Sequence, residues 1–317
     1  MTRWAIVGSS GFAEQTCVPT LLASDSTELL GCCGSTAEGG ARLARKMSLP
    51  KAYETFADVC TDASVEAVWI ASPTGFHAIQ AIALMEAGKN VLVEKPLALT
   101  LAESKQIKAT ADRTGAKAAV GFHQRFKTAH VRARRELESG KIGNLAYIRC
   151  HWFIAYDSEP RAWRRNPETA GGGWAINDIG THLLDTVGFI AQSEVVAANA
   201  IFGHARFAYA TDDIFVGALK LSNGALASIE ASTAVQGSTT RLELVGDRGS
   251  IVVEGSFMNR SLFTMDGTVP EAAEEDQAYI RQIAAFEASL EGGASAVATL
   301  DDGIANVRWI GEMLKSR

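Results

Sequence analysis

The first 120 or so residues alternate short, wholly apolar runs with stretches of helical composition, and this constrains the fold more than any other feature of the chain. Residues 4–7 (WAIV), 29–33 (LLGCC), 67–71 (AVWIA), 90–94 (NVLVE) and 118–121 (AAVG) read as strands. Residues 13–23, 37–46, 76–87 and 101–114 read as the helices between them, with Gly88 and Gly115 as C′ glycines. Strands that are apolar at successive positions are buried on both faces, which is the mark of a parallel sheet covered by helices.

Beyond Gly121 the pattern changes, and the domain border is drawn there. A helix over 125–139 is broken by GKIG (140–143), and 145–156 alternates as one long strand. A helix at about 178–191 follows a glycine cluster. Strands at 195–202, 214–221, 225–231, 241–245 and 250–254 then come without helices between them, which predicts an antiparallel sheet. The GDRG segment between the last two predicts a hairpin. Helices over 274–291 and 301–314 close the sequence, the second capped by Thr299 or Asp301. A length of 317 residues is itself more than one ordinary core accommodates.

Composition excludes several classes. Lys plus Arg is 30 against 36 Asp plus Glu, a formal net charge of −6, and no long basic run offers a nucleic-acid surface. No stretch approaches the roughly 20 apolar residues of a membrane span. The N-terminus lacks the apolar core of a secretory signal, so the expected location is cytoplasmic. Cys17, Cys32, Cys33, Cys60 and Cys150 are odd in number and form no CxxC, which fits reduced packing cysteines. The six His have no zinc-ligand spacing, and no metal is expected.

Three segments carry chemistry. Gly8-Ser9-Ser10-Gly11-Phe12-Ala13 follows the first strand and opens a helix, the context in which backbone N–H groups face a pyrophosphate. Ser10 and Ala13 stand where G-x-G-x-x-G has glycines, and serine is small enough for close approach. The second strand ends Gly34-Ser35-Thr36 with no acid at its tip and Glu38 further on. A missing carboxylate removes repulsion against a ribose 2′-phosphate, and Ser35 and Thr36 are donors, with Arg42 a further candidate. The expected cofactor is therefore NADP(H) in preference to NAD(H).

Lys95, after Glu94, falls where strand ends line the ligand crevice of an open α/β sheet, and an ammonium there stabilises charge on a substrate oxygen. In the segment from Gly171 to His182, Asp178 and His182 stand four apart, which puts them on one helical face and makes His182 an acid/base candidate tuned by the carboxylate. The plain readings are a surface lysine paired with Glu94 and a capping Asp beside a core His.

Together VGSSGFA, IASPTGFH (70–77), VEKPLA (93–98), GFHQRF (121–126), AGGGWAINDIGTHLLD (170–185) and Tyr279 resemble the Gfo/Idh/MocA family of NAD(P)-dependent sugar and cyclitol oxidoreductases, over nearly the whole chain. The resemblance implies an N-terminal Rossmann dinucleotide-binding domain (1–120). It implies a C-terminal α+β domain (121–317) with a large, mainly antiparallel sheet for substrate binding and oligomerisation, its final helices free to pack back on the first domain. It implies Lys95, His182 and Asp178 as catalytic groups. Ser72, Pro73, Thr74, His77, Glu94, Lys95, Trp163, Arg164 and Tyr279 become cofactor contacts beside the glycine loop. Gly34 and Gly39 depart from one reductase branch of the family that has a polar residue and an Arg there. Arg125, Arg164, Asn177 and His182 are the substrate candidates, with His123, His151 and Tyr156 behind them. The implied reaction is hydride transfer between nicotinamide and a ketone or secondary alcohol of a sugar-like small molecule, by a homodimer or homotetramer that binds neither nucleic acid nor membrane. The alternatives are a non-catalytic cofactor-sensing regulator on the same fold and an enzyme of the biliverdin-reductase type.

Overall fold

The apolar runs of the amino-terminal half lie side by side in one parallel sheet. The computed structural model describes residues 1–156, 162–272, 277–293 and 296–317, without the side chains of Ala162, Trp163 and Ser238. The chain divides into two units, residues 1–123 with 279–305 and residues 124–278 with 306–317.

In the first unit the strands are β1 (Thr2–Val7), β2 (Thr27–Cys33), β3 (Lys51–Tyr53), β4 (Ala67–Ile70), β5 (Asn90–Val93) and β6 (Ala118–Val120), in the order β3-β2-β1-β4-β5-β6. Every pairing in it is parallel. The order reverses between β1 and β4, and in such Rossmann sheets the carboxyl ends beside that point bind ligands. Helices α1 (Val18–Leu22), α2 (Ala37–Lys46), α3 (Phe56–Thr61), α4 (His77–Glu86) and α5 (Leu101–Thr114) connect the strands.

Both faces of β1 are buried, and Trp4 shows why the run is apolar throughout: it packs on Phe286 at 5.4 Å and donates from Nε1 to Glu287 Oε1 at 3.0 Å. Phe286 and Glu287 belong to the helix Ala278–Leu290. Gly88 (φ +77°) and Gly115 (φ +75°) are left-handed at their helix ends, as predicted. The sequence reading has no strand at β3, because KAY exposes Lys51 and Ala52 at the sheet edge and shows no apolar period. The first helical run starts at Gly11 and widens into a π-helical turn over Ala13–Cys17.

The second unit holds α6 (Thr128–Glu138), α7 (Ala162–Arg165) and α8 (Thr181–Ala191) with β7 (Leu145–Ala155), β8 (Val195–Gly203), β9 (Ile214–Leu221), β10 (Leu226–Ser232), β11 (Ala234–Gly246), β12 (Ser250–Glu254), β13 (Leu262–Met265) and β14 (Glu271–Ala272). They form one sheet in the order β14-β13-β12-β11-β7-β10-β9-β8. Within this sheet only β10 and β7 pair in parallel among the described residues. β9 alternates cleanly, burying Phe215, Leu219 and Leu221 and exposing Val216, Ala218 and Lys220. The buried face packs on α8 through Leu183, Val187 and Ile190.

Some expectations change here. β11 begins at Ala234 rather than 241, because its first residues (AVQGSTT) are too polar to read as strand. β13 and β14 are short and had no signal. The helix expected over 274–291 is Ala278–Leu290, with 273–276 outside the described residues. The helix expected at 178 begins as a second π-helical turn, Ile176–Gly180, before α8. Thr299 caps the last helix, its Oγ1 accepting the Asp302 N–H at 3.2 Å. No helix among the described residues is long and apolar enough to cross a membrane.

Candidate active site

β1 runs directly into the turn that the sequence marks for a dinucleotide. Gly8 has φ +136°, and a Cβ there would lie 2.6 Å from the Ala71 carbonyl oxygen, so only glycine fits. Its N–H donates to Cys33 O at 2.8 Å and ties the turn to the end of β2. Ser9 and Ser10 follow, and the helical run begins at Gly11 and Phe12. A helix start supplies N–H groups and partial positive charge. This cradle, with no room for a side chain at position 8, fits a dinucleotide pyrophosphate.

At the tip of β2, Ser9 Oγ lies 2.9 Å from where a Cβ on Gly34 would stand and 3.1 Å from one on Gly39. The serine thus fills the space that larger residues would need. Ser35 follows Gly34, and Thr36 caps α2, its Oγ1 accepting the Gly39 N–H at 3.1 Å and keeping its own hydrogen to donate. Arg42 reaches back from α2 and donates from Nη2 to Ser9 O at 3.2 Å. Glu38 is exposed on the first turn of α2.

The ends of β4 and β5 are braced by one imidazole. Ser72 Oγ donates to Gln80 Oε1 at 2.6 Å, and Pro73 leads into a 3₁₀ turn over Thr74–Phe76. His77 is buried, with Nε2 2.9 Å from Ser72 O and Nδ1 2.8 Å from Pro96 O. Burial holds its pKa below the usual histidine value. Lys95 is half-buried at the carboxyl end of β5 and precedes a cis proline. Glu94 is buried, its Oε1 accepting from Trp69 Nε1 at 3.0 Å and its Oε2 from Lys95 N–H at 3.3 Å. Burial pushes the Glu94 carboxyl up to about 7, against the opposing pull of the Lys95 charge and the indole. Tyr279 lies beside Trp69, 6.2 Å from its ring and 6.0 Å from Phe12, with the His123 ring stacked on it at 4.0 Å.

In the second unit the π-helical turn carries Asp178 and the α8 turn after it carries His182. The junction is clamped: Thr181 Oγ1 donates to Asn306 Oδ1 at 2.7 Å, and Asn306 Nδ2 returns a bond to Thr181 O at 2.9 Å. Asp178 Oδ2 accepts from the Tyr156 hydroxyl at 3.1 Å and lies 3.2 Å from Arg164 Nη2. The Arg164 guanidinium sits 5.2 Å over the Tyr156 ring. The Asp178 charge and burial push the Tyr156 phenol well above its usual range. His182 is buried 5.7 Å from the Trp152 ring, which stacks on Phe257 at 5.2 Å.

Arg125 forks onto Asp185, from Nη2 at 2.6 Å and Nε at 3.0 and 3.1 Å. Asn177 Nδ2 is spent on three carbonyls, those of Ala170, Gly171 and Gly173, at 2.9–3.0 Å. His151 stacks on Phe153 at 5.1 Å. The Trp163 side chain lies outside the described residues. Sequence reasoning missed that Trp69 reaches Glu94 and that Trp152 lies beside His182, because a Trp within a strand carries no sign of what its ring abuts.

Residues 2–122 match the model of an oxidoreductase family with an NAD-binding Rossmann fold, and residues 130–252 match the GFO/IDH/MocA C-terminal domain. The glycine turn and these matches define an oxidoreductase that takes a nicotinamide dinucleotide. The chain belongs to the Gfo/Idh/MocA family. It is 27% identical over 312 residues to a 1,5-anhydro-D-fructose reductase of Ensifer adhaerens, covering 96% of this chain and 92% of the relative. It is 30% identical over 233 residues to scyllo-inositol 2-dehydrogenase (NAD(+)) of Bacillus subtilis, covering 71% and 66%. The structure of aldose-aldose oxidoreductase from Caulobacter crescentus, complexed with glycerol, superposes with a TM-score of 0.88 at 23% identity, covering 99% of this chain and 97% of that one.

Proposed function

We propose that this chain transfers hydride between a nicotinamide cofactor and a ketone or secondary alcohol on a sugar- or cyclitol-like ring, with Lys95, His182 and Asp178 as its catalytic groups. The observation that carries the reading is the arrangement of one sheet: the glycine turn, the Ser72–Thr74 segment and Lys95 stand at the carboxyl ends of three neighbouring parallel strands, β1, β4 and β5. A bound nicotinamide supplies or accepts the hydride. Lys95 donates a hydrogen bond to the substrate oxygen and steadies the charge that grows on it. His182 gives that oxygen a proton in reduction and takes one from the hydroxyl in oxidation. Asp178, held by Tyr156 and Arg164, sets the field at His182.

The sugar-like substrate is supported by the curated relatives, which act on an anhydrofructose and an inositol by name. Because Arg125 and Asn177 are engaged inside the fold, their part is to shape the second unit rather than to grip hydroxyls. NADP(H) is the preferred dinucleotide, supported by Thr36 and Arg42 and by the lack of an acid at the tip of β2. The open face of the second unit's sheet, with Ile201 and Val216 paired across β8 and β9 and both exposed, is the surface through which copies associate as a dimer or tetramer.

Lys95→Met and His182→Ala, assayed against a panel of sugars with dinucleotide binding measured in parallel, test the catalytic assignment. Turnover is expected to fall by roughly 10²–10⁴-fold with dinucleotide affinity retained. Turnover unchanged in both variants refutes it. A regulator on the same fold turns over nothing in any of the three proteins.

A further inference from the structure

Glu94 is a buried carboxyl directly before a group assigned to catalysis. Five segments of the first unit surround it: Cys17 from the run after the glycine turn, Trp69 from β4, Lys95 after β5, Gly121 after β6, and Tyr279 from the helix Ala278–Leu290. A Cβ on Gly121 would lie 2.8 Å from Glu94 Oε1, so that position is glycine because the carboxyl occupies the space. Each oxygen has a directed partner, Oε1 the indole N–H of Trp69 and Oε2 the backbone N–H of Lys95. The carboxylate is thus locked to the main chain of the very residue whose ammonium faces chemistry. The titratable groups around it are Lys95, Cys17 and Tyr279, with His123 stacked behind Tyr279. Burial and the Glu94 charge push both the Cys17 thiol and the Tyr279 phenol up, whereas the Lys95 charge pulls the Glu94 carboxyl down.

We propose that Glu94 is a positioning residue for Lys95: its caged carboxylate fixes the Lys95 backbone and amine in the working orientation, and loss of its charge releases them. This rests on the reading of Lys95 as a substrate-contacting group. A carboxyl near 7 changes charge across the neutral range. It is ionised above that value and holds Lys95. Below it the carboxyl is neutral and the hold is lost. Activity through Lys95 therefore falls as pH drops.

The test compares pH profiles of kcat/KM, in one reaction direction, for the wild type, Glu94→Gln and Trp69→Phe. Any ionisation contributed by His182 is common to all three proteins. Wild type is expected to lose activity by up to tenfold per pH unit below the Glu94 ionisation. Glu94→Gln, with the shape but not the charge, is expected to lose kcat and that ionisation while its dinucleotide Kd stays within about twofold. Trp69→Phe keeps a ring but removes the N–H that favours the charged carboxylate, so its ionisation moves to higher pH. If Glu94→Gln does not fold, the Trp69→Phe shift alone decides. A Glu94→Gln profile superimposable on wild type, an unmoved Trp69→Phe profile, or weakened dinucleotide binding with kcat intact overturns the proposal. The last outcome makes Glu94 a cofactor contact instead. Lys95→Met separates the layers: if it remains active, the catalytic reading fails whatever Glu94→Gln does. If it is inactive and Glu94→Gln behaves as wild type, only the positioning role fails.

Discussion

Replacing Arg125 by methionine separates two jobs for one side chain. The sequence marks it as a grip for substrate hydroxyls, whereas in the fold it forks onto Asp185, one turn beyond His182 on α8. The two side chains are only 11% and 3% exposed, so the pair is shielded from water. At about 3 Å and an effective dielectric of about 20 their attraction is roughly 5 kcal/mol before desolvation. Removing one partner of such a buried pair costs about 3–5 kcal/mol, because the other charge is left in a poor solvent. Methionine keeps the apolar stem beside Phe189, whose ring the guanidinium carbon approaches at 5.6 Å, so the loss is mainly electrostatic. Urea unfolding of the full chain, with KM and kcat measured on the same preparations, reads both jobs. The expected result is a stability loss of that size. Adding Asp185→Leu should recover most of the loss. If Arg125→Met unfolds within about 1 kcal/mol of wild type while KM rises tenfold or more, the guanidinium works on substrate and the argument from burial is wrong.

Arg42→Ala is expected to raise KM for NADPH roughly tenfold, the worth of one exposed charge–phosphate contact, with little change for NADH. Equal effects on the two cofactors remove Arg42 from 2′-phosphate recognition. Ile201→Asp combined with Val216→Asp places two carboxylates on the open sheet face and is expected to lower the mass measured by light scattering to that of one chain. An unchanged mass moves the association to another surface.

The parallel sheet was legible because β1, β4 and β5 are buried on both faces and so spell their own burial in unbroken Val, Ile, Leu and Trp. β3 and the first half of β11 were not legible, since an exposed edge and a Gly/Ser/Thr-rich stretch get their structure from neighbouring strands. The same divide runs through the site. Gly8 announces itself because a close backbone approach admits one residue type. Lys95, Asp178 and His182 stand out by position in motifs. The employment of Arg125 and Asn177 stayed hidden, because a guanidinium or an amide on a polar stretch looks alike whether it meets a sugar, a carboxylate or three carbonyls. Which partner it finds depends on contacts sixty residues away in the first case, and local spacing does not encode them.

The wide turn INDIG, over Ile176–Gly180, makes this stretch sensitive to length as well as to chemistry. Such a bulge holds one residue more than an ordinary spiral needs. Excising a single residue there would let the segment rewind while the turns on either side kept their register. Asp178 would then meet the imidazole at a different angle although α8 had not moved. Among descendants of this gene, a one-codon deletion in INDIG therefore spoils the aim of this pair without disturbing the fold around it.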